Sequence, residues 1–155
     1  MENMEMNSDF LDYQDFHFRQ RAKDSHPAPK IMIVEDDEVA LEALCRQIRR
    51  YDPAIEVIPA QSMSEAQQLM KQTPPDLLIT DYYLDSDSTA VDLLRLAEKS
   101  KKPVSDVLVI STGAPLPALF AAEREGLRIK FVKKPVDRFL LYRFLQFDLD
   151  RGYYL

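Results

Sequence analysis

The sequence has a single cysteine, no long apolar run and no excess of positive charge. Cys45 cannot form an internal disulfide, and a lone cysteine fits a reducing compartment. No apolar run approaches the roughly 18 residues of a membrane-spanning helix, and the polar N-terminus lacks the basic and apolar regions of a signal peptide. A formal net charge of −6 argues against a general nucleic-acid binder. These absences predict a cytoplasmic protein that binds neither nucleic acid nor membrane.

The length and composition fit one globular domain preceded by a tail. The 155 residues, of which 46% are hydrophobic, suffice for one domain with a proper core and are too few for two. We assign 1–29 to a flexible N-terminal tail and linker, because scattered acids and aromatics there lead into a Pro-containing stretch, and 30–155 to the domain. The tail is either disordered or docks through its aromatic residues on a partner or on the domain itself.

Three short apolar runs end in charged residues, and this repetition is the main clue to function. The run 31–34 is followed by Glu35 and Asp36, the run 77–80 by Asp81, and Phe131-Val132 by Lys133 and Lys134. Such runs are typical of buried parallel strands, and in parallel sheets ligands bind beyond the carboxyl ends. Carboxylates that meet there repel one another unless a cation lies among them and a lysine balances the charge. Oxygen ligands favour a hard ion, of which magnesium fits best.

Apolar runs and helical periodicities alternate along the whole domain. We predict strands at about 31–34, 55–60, 76–80, 107–110 and 129–132. Five helices are predicted. The first covers 38–50, the second begins at the Ser62 capping box, and the third includes 91–96. The fourth ends at a C-cap formed by Gly126, and the fifth runs from Asp137 to about Phe147. This pattern predicts an α/β fold, a flavodoxin-like doubly wound five-stranded parallel sheet with five helices. Its order, 2-1-3-4-5, is taken from that fold and not from the sequence; it places the first strand beside the third.

The motifs, taken in order, resemble a bacterial response-regulator receiver domain over about Lys30 to Phe147. The resemblance rests on Val34-Glu35-Asp36 after the first strand, Asp81 at the end of the third, Ser111-Thr112 after the fourth and Lys134-Pro135 after the fifth. It implies a signalling protein of the two-component type, not an enzyme, that a histidine kinase or phosphotransfer protein phosphorylates on Asp81.

The resemblance also assigns the metal and phosphate ligands. Glu35 and Asp36 would hold Mg²⁺ together with Asp81 and the backbone carbonyl of Tyr83. Lys134 would pair with a phosphate oxygen, because phosphoryl transfer depends on placement and charge neutralisation. The side chain of Tyr83 is large enough to shield an acyl phosphate from water, which predicts slow self-dephosphorylation.

A hydroxyl after the fourth strand and an aromatic residue in the fifth carry the switch in this family. Phe131 matches the aromatic position. Counting from the apolar strand favours Ser111 as this hydroxyl. In the family a small residue usually follows the hydroxyl, and Gly113 would fit that position if Thr112 were the hydroxyl. The loop after Asp81 departs from the family: Asp85 replaces the usual proline, and no glycine precedes the third helix.

Because the chain ends soon after the fifth helix, we expect no effector domain and an output through binding. The last helix is apolar on more than one stripe, which predicts a contact surface for a homodimer or a protein target, unless the tail covers it. Two other functions stay open. The acidic loop at Asp85 fits an adaptor that works without phosphorylation. An aspartyl-phosphate phosphohydrolase usually has a second Asp at the position of Tyr83, so it ranks last.

Overall fold

Five strands and five helices alternate along the chain from Lys30 onward. The computed structural model describes residues 28–85, 87–100, 102, 104, 106–113, 116–124, 126 and 128–151. The strands are β1 (Lys30–Val34), β2 (Glu56–Ala60), β3 (Leu77–Asp81), β4 (Asp106–Ser111) and β5 (Ile129–Lys133). The helices are α1 (Glu38–Tyr51), α2 (Met63–Gln72), α3 (Ala90–Glu98), α4 (Leu116–Arg124) and α5 (Arg138–Arg151). The predicted tail, 1–29, lies almost wholly outside the described residues.

The strands form one parallel sheet in the order β2-β1-β3-β4-β5, as predicted. β1 is an interior strand, between β2 and β3, and it pairs with β3 in a register that places Val34 beside Thr80. The residues that follow β1 and end β3 therefore meet at one edge of the sheet. Proline cannot donate to a ladder, and Pro59 is accommodated because β2 is an edge strand.

Helices cover both faces of the sheet. Successive residues of a strand point to opposite faces, so Ile33 lies in the core formed with α1 and α5, and Met32 in the core formed with α2 and α3. Both faces of β1, β3 and β4 exclude water, which explains their apolar runs, whereas the edge strands β2 and β5 carry the exposed residues Glu56 and Lys130. In the described part of the chain, no helix combines the length and the apolar character needed to cross a bilayer.

Local hydrogen bonds fix several ends of elements. The Asp37 carboxylate accepts from the backbone N–H groups of Val39 and Ala40 and so starts α1. The backbone N–H of Ile55 donates to Asp52 in a turn, which is why β2 begins one residue later than predicted. Helix α5 begins after Asp137 as expected but continues to Arg151, beyond the predicted end.

The fourth helix ends before a residue in the left-handed region. Helix α4 ends at Arg124, and Gly126 has a φ of +94°, while its backbone N–H donates to the carbonyl of Glu123 over 2.9 Å. Glycine adopts this conformation without steric cost, so the predicted C-cap role of Gly126 is confirmed.

Candidate functional site

Three carboxylates meet beyond the carboxyl ends of β1 and β3. Glu35 and Asp36 directly follow β1, and Asp81 is the last residue of β3. One carboxylate oxygen from each residue lies within 4.8 Å of the other two. The side chain of Glu35 is only 3% exposed and that of Asp81 12%, whereas Asp36 is exposed. The expected acidic cluster is therefore present, with one open side towards solvent.

Lys134 joins this cluster from the far side of β4. Its Nζ lies 3.0 Å from Oε2 of Glu35 and 3.1 Å from Oδ2 of Asp81, so one ammonium group bridges two carboxylates. The backbone N–H of Lys134 donates to the carbonyl of Ser111 over 2.9 Å and fixes the start of this side chain to the end of β4. Lys133, by contrast, is exposed and makes no ion pair with a described residue that would place it in the site.

The protonation equilibria reflect crowding and burial. Burial raises the pKa of Glu35, and the hydrogen bonds from Lys134 and from the backbone N–H of Asp37 offset only part of that rise. Burial by itself would lower the pKa of Lys134, but its hydrogen bonds with Glu35 and Asp81 raise it by more. The lysine is thus held as a cation beside a carboxyl group that ionises reluctantly.

The donor set fits a hard divalent cation. Three carboxylates and one ammonium leave the ionised cluster with an excess of negative charge. A dication among the three oxygens would remove that excess, and oxygen ligands of this kind suit Mg²⁺. Glu35, Asp36 and Asp81 are the residues that would hold it.

Tyr83 lies just beyond β3, in a short antiparallel bridge with Thr89. Its side chain is 58% exposed and stands edge-on to the ring of Tyr82, with the ring centroids 4.9 Å apart. The expected ligand role of its backbone carbonyl stays a prediction. The exposed ring belongs to a residue two positions after Asp81, and its shielding role also stays a prediction.

The two candidate hydroxyls occupy different environments. Ser111 is the last residue of β4 and 1% exposed, and its Oγ makes no hydrogen bond with any described residue. Thr112 is exposed. A buried hydroxyl without a partner carries an unmet hydrogen bond, so Ser111 is poised to donate to a group that enters the site. The burial of Ser111 and its unused hydroxyl therefore favour it over Thr112 as the switch hydroxyl.

Phe131 shares a face of the sheet with Ser111. It pairs with Val109 across β4 and β5, is partly buried, and contacts the core formed with α2 and α3. Alternate residues of a strand point the same way, so Val109 and Ser111 have a common orientation. The aromatic side chain and the buried hydroxyl thus lie on the same side of neighbouring strands.

The loop after Asp81 starts the third helix without glycine. The backbone N–H of Thr89 donates to Oδ2 of Asp92 over 3.0 Å, a reciprocal cap that the spacing of Thr89 and Asp92 could have indicated in the sequence. Asp85 and Asp87 are exposed and stand outside the carboxylate cluster. The missing glycine therefore does not prevent helix formation here.

Comparisons with known proteins agree with this geometry. The sequence model of the family described as response regulator receiver domain matches residues 31–146. The chain is similar to the N-terminal domain of an uncharacterized protein from Wolinella succinogenes, with 30% identity over 81% of this chain and 97% of that one, and a TM-score of 0.68. It shares its fold with a CheY-like response regulator receiver domain protein from Methanospirillum hungatei, with 22% identity, coverage of 80% and 95%, and a TM-score of 0.70. No curated protein matches the sequence.

Proposed function

The chain belongs to the response regulator receiver domain family, and we propose that it is a single-domain response regulator phosphorylated on Asp81. The observation that carries the proposal is the bridge from Lys134 to both Glu35 and Asp81, at 3.0 and 3.1 Å. An ammonium group held against the acceptor carboxylate is placed to neutralise an incoming phosphoryl oxygen. The donor of the phosphoryl group would be a histidine kinase or a phosphotransfer protein.

The transfer needs one nucleophile and several fixed charges. A carboxylate oxygen of Asp81 attacks phosphorus, the new O–P bond forms as the P–N bond to the donor histidine breaks, and the electron pair of that bond stays on the imidazole nitrogen. Lys134 holds one oxygen of Asp81 by a hydrogen bond and so fixes the position of the carboxylate for this attack. The product is an acyl phosphate.

The remaining site residues hold and read the product. Glu35, Asp36 and Asp81, with the backbone carbonyl of Tyr83, are proposed to hold Mg²⁺, which when bound neutralises charge on the phosphoryl oxygens. Lys134 moves its hydrogen bond from the carboxylate to a phosphoryl oxygen. Ser111 donates its unused hydroxyl hydrogen to another, and this draws the end of β4 towards the site.

The output is proposed to be a change in protein binding, in the cytoplasm. At the start of α5, Phe139 and Leu140 are 48% and 47% exposed, whereas Leu141 and Leu145 are buried in the core. This surplus of apolar surface fits a contact with a protein target or a second copy of the chain. Phe147 and Leu149, which were part of the predicted surface, have side chains outside the described residues.

One assay tests the proposal directly. Wild type and Asp81→Ala are incubated with Mg²⁺ and acetyl phosphate, and intact mass is measured. We expect the mass of one phosphoryl group on wild type and none on the variant. Asp85→Ala is the matched control, because it removes an exposed carboxylate of the adjacent loop and should leave the modification unchanged. Equal modification of wild type and Asp81→Ala would refute the assignment.

An adaptor that works without phosphorylation is the second candidate. The observation that favours it is the exposed pair Asp85 and Asp87 in the loop beside Asp81, which adds negative charge near the approach of an anionic phosphoryl donor. Absence of modification on wild type, with either acetyl phosphate or a beryllofluoride mimic, would support the adaptor over the phosphorylated regulator.

A further inference from the structure

A groove runs between the last turns of α2 and α3, at the end of the domain opposite Asp81. Its volume is about 540 Å³. It is lined by Met70, Lys71, Pro74, Leu96, Lys99 and Ser100, together with Gln67. Leu96 is 38% exposed, which is unusual for a leucine on a helix that otherwise buries its apolar residues. The groove therefore presents an apolar floor to solvent.

Both ionisable residues of the described lining are lysines. Lys71 and Lys99 are exposed on the two helices that form the walls. Lysines are common near the C-terminal ends of helices, because their charge interacts favourably with the helix dipole. The two lysines alone are therefore no evidence of a binding site. Combined with an exposed apolar floor, they favour an occupant that carries apolar side chains and negative charge.

The domain's first strand begins beside this groove. The backbone N–H of Lys30 donates to Oδ2 of Asp76 over 2.8 Å, two residues after Pro74 of the groove. The other oxygen of Asp76 lies 2.7 Å from Nζ of Lys102, two residues after Ser100. The residues that precede Lys30 thus join the domain at the same end of the sheet as the groove.

The preceding segment has the matching chemistry. Residues 2–18 contain five acids, no lysine and no arginine. Their apolar residues include Phe10, Leu11, Tyr13, Phe16 and Phe18. Residues 19–29 would span at most about 36 Å at ~3.3 Å per residue, which is enough to return the segment to a groove next to Lys30.

Two other surfaces fit this segment less well. The groove between α1 and the edge of the sheet has a mixed lining of three glutamates and two arginines, so its charge does not favour an acidic segment: Glu38, Glu42, Glu65, Arg46 and Arg49. The outer surface of α1 carries Arg46 and Arg49 but offers no large apolar residue among its described lining. Of these three grooves in the described part of the chain, the one between α2 and α3 combines an apolar floor with a basic rim.

We propose that the acidic, aromatic segment 2–18 of this same chain binds in the groove between α2 and α3. The aromatic side chains cover Leu96 and Met70, and the carboxylates lie near Lys71 and Lys99. This binding does not depend on phosphorylation of Asp81, since the groove is at the opposite end of the strands from that residue.

Paramagnetic broadening in the full-length protein tests the proposal. In a Cys45→Ala background, a nitroxide is attached either to Gln72→Cys, an exposed position at the end of α2, or to Glu42→Cys, an exposed position on α1. We expect the amide signals of residues 10–18 to lose most of their intensity with the first label and little with the second. Absence of broadening from the first label, or equal broadening from both, would overturn the proposal.

Two further measurements separate the remaining explanations. Spin-labelled chains without isotopes are then mixed with isotopically labelled chains that carry no spin label, so that only contacts between chains can broaden signals. If residues 10–18 are broadened in this mixture as strongly as in the doubly labelled chain, the occupant belongs to a second copy and the proposal is wrong. In protein that retains Cys45, Lys71→Glu/Lys99→Glu should increase the initial rate of trypsin cleavage after Arg19 and Arg21 severalfold. The matched Arg46→Glu/Arg49→Glu variant should cleave like wild type, and the reverse result would place the segment on α1.

Discussion

Lys134 and Glu35 lie 99 residues apart in the sequence, yet their side chains meet through a 3.0 Å ion pair. The glutamate follows β1 and is almost fully buried, and the lysine reaches it from the loop after β5. This pair closes one side of the carboxylate cluster and leaves the other side, at Asp36, open to solvent. The contact is central to both the stability and the chemistry of the site.

Removal of the Lys134 ammonium group should destabilise the protein. In Lys134→Met, Glu35 remains buried beside Asp81 without its counter-charge, which should cost about 1–3 kcal/mol in urea unfolding. Glu35→Gln in the same chain should recover part of that loss, with a coupling of about 0.5–3 kcal/mol. Lys133→Met is the control, because Lys133 is exposed and should matter little. If both lysine variants unfold alike, the ion pair contributes nothing measurable.

Magnesium should raise the thermal stability of the protein through the carboxylate cluster. Each tenfold increase of free Mg²⁺ above the dissociation constant adds about 1.4 kcal/mol to the free energy of unfolding, so the melting temperature should rise with concentration. Asp36→Asn should abolish most of this dependence, even if it stabilises the ion-free protein by relieving repulsion. Asp85→Asn, outside the cluster, should keep it. An identical magnesium response in both variants would argue against the site.

Ser111 and Thr112 can be distinguished by paired substitutions. Ser111→Ala removes a buried hydroxyl that has no described partner, so the resting protein should be unchanged or more stable by up to about 1 kcal/mol. The same variant should lose the beryllofluoride-induced shifts of amide signals in β5 around Phe131. Thr112→Ala should retain those shifts. The opposite pattern would assign the switch hydroxyl to Thr112.

Tyr83 should slow the hydrolysis of the acyl phosphate. Its exposed ring stands beside the end of β3, so replacement by a small polar residue should admit water to the phosphoryl group. We expect Tyr83→Asn to lose phosphate faster than wild type, and Tyr83→Phe, which keeps the ring, to match wild type. The decay of intact phosphorylated mass measures both. If Tyr83→Asn decays at the wild-type rate, shielding is the wrong explanation.

The lone thiol should make stability fall at alkaline pH. Cys45 is 5% exposed, and burial raises its pKa in the folded protein. At a pH below about 8.5, the pKa of the thiol in the unfolded chain, the thiol is protonated in both the folded and the unfolded state. The buried thiol then makes its full contribution to the free energy of unfolding. Above it the unfolded chain releases the proton first, so the contribution is lost as pH rises.

Two measurements test the predicted loss of stability at alkaline pH. The stability advantage of wild type over Cys45→Ala should shrink between neutral pH and about pH 10, since the alanine variant has no thiol to ionise. Alkylation of the native protein at neutral pH should be slow and should accelerate in urea. A thiol that reacts at the same rate in native and unfolded protein would contradict the burial.

The sequence by itself determined the order of strands and helices and the residues that stand at the strand ends. Apolar runs predicted four of the strands, and alternating apolar and polar residues predicted the edge strand β2. The charged residues that follow the runs predicted where Glu35, Asp36, Asp81 and Lys134 would stand. Such patterns are local, because strand alternation and helix capping depend on neighbouring residues. The predicted helix start at Ser62 is such a local signal.

Only the tertiary structure decided which of these residues meet and in what environment. The order of the strands brings β1 beside β3, and the path of β5 lets Lys134 bridge two carboxylates at once. Burial, too, arises from packing between distant segments, and it separates Ser111 from Thr112 although the two are adjacent in sequence. Sequence spacing carries no information on these contacts, because they arise between segments tens of residues apart that only the folded sheet brings together.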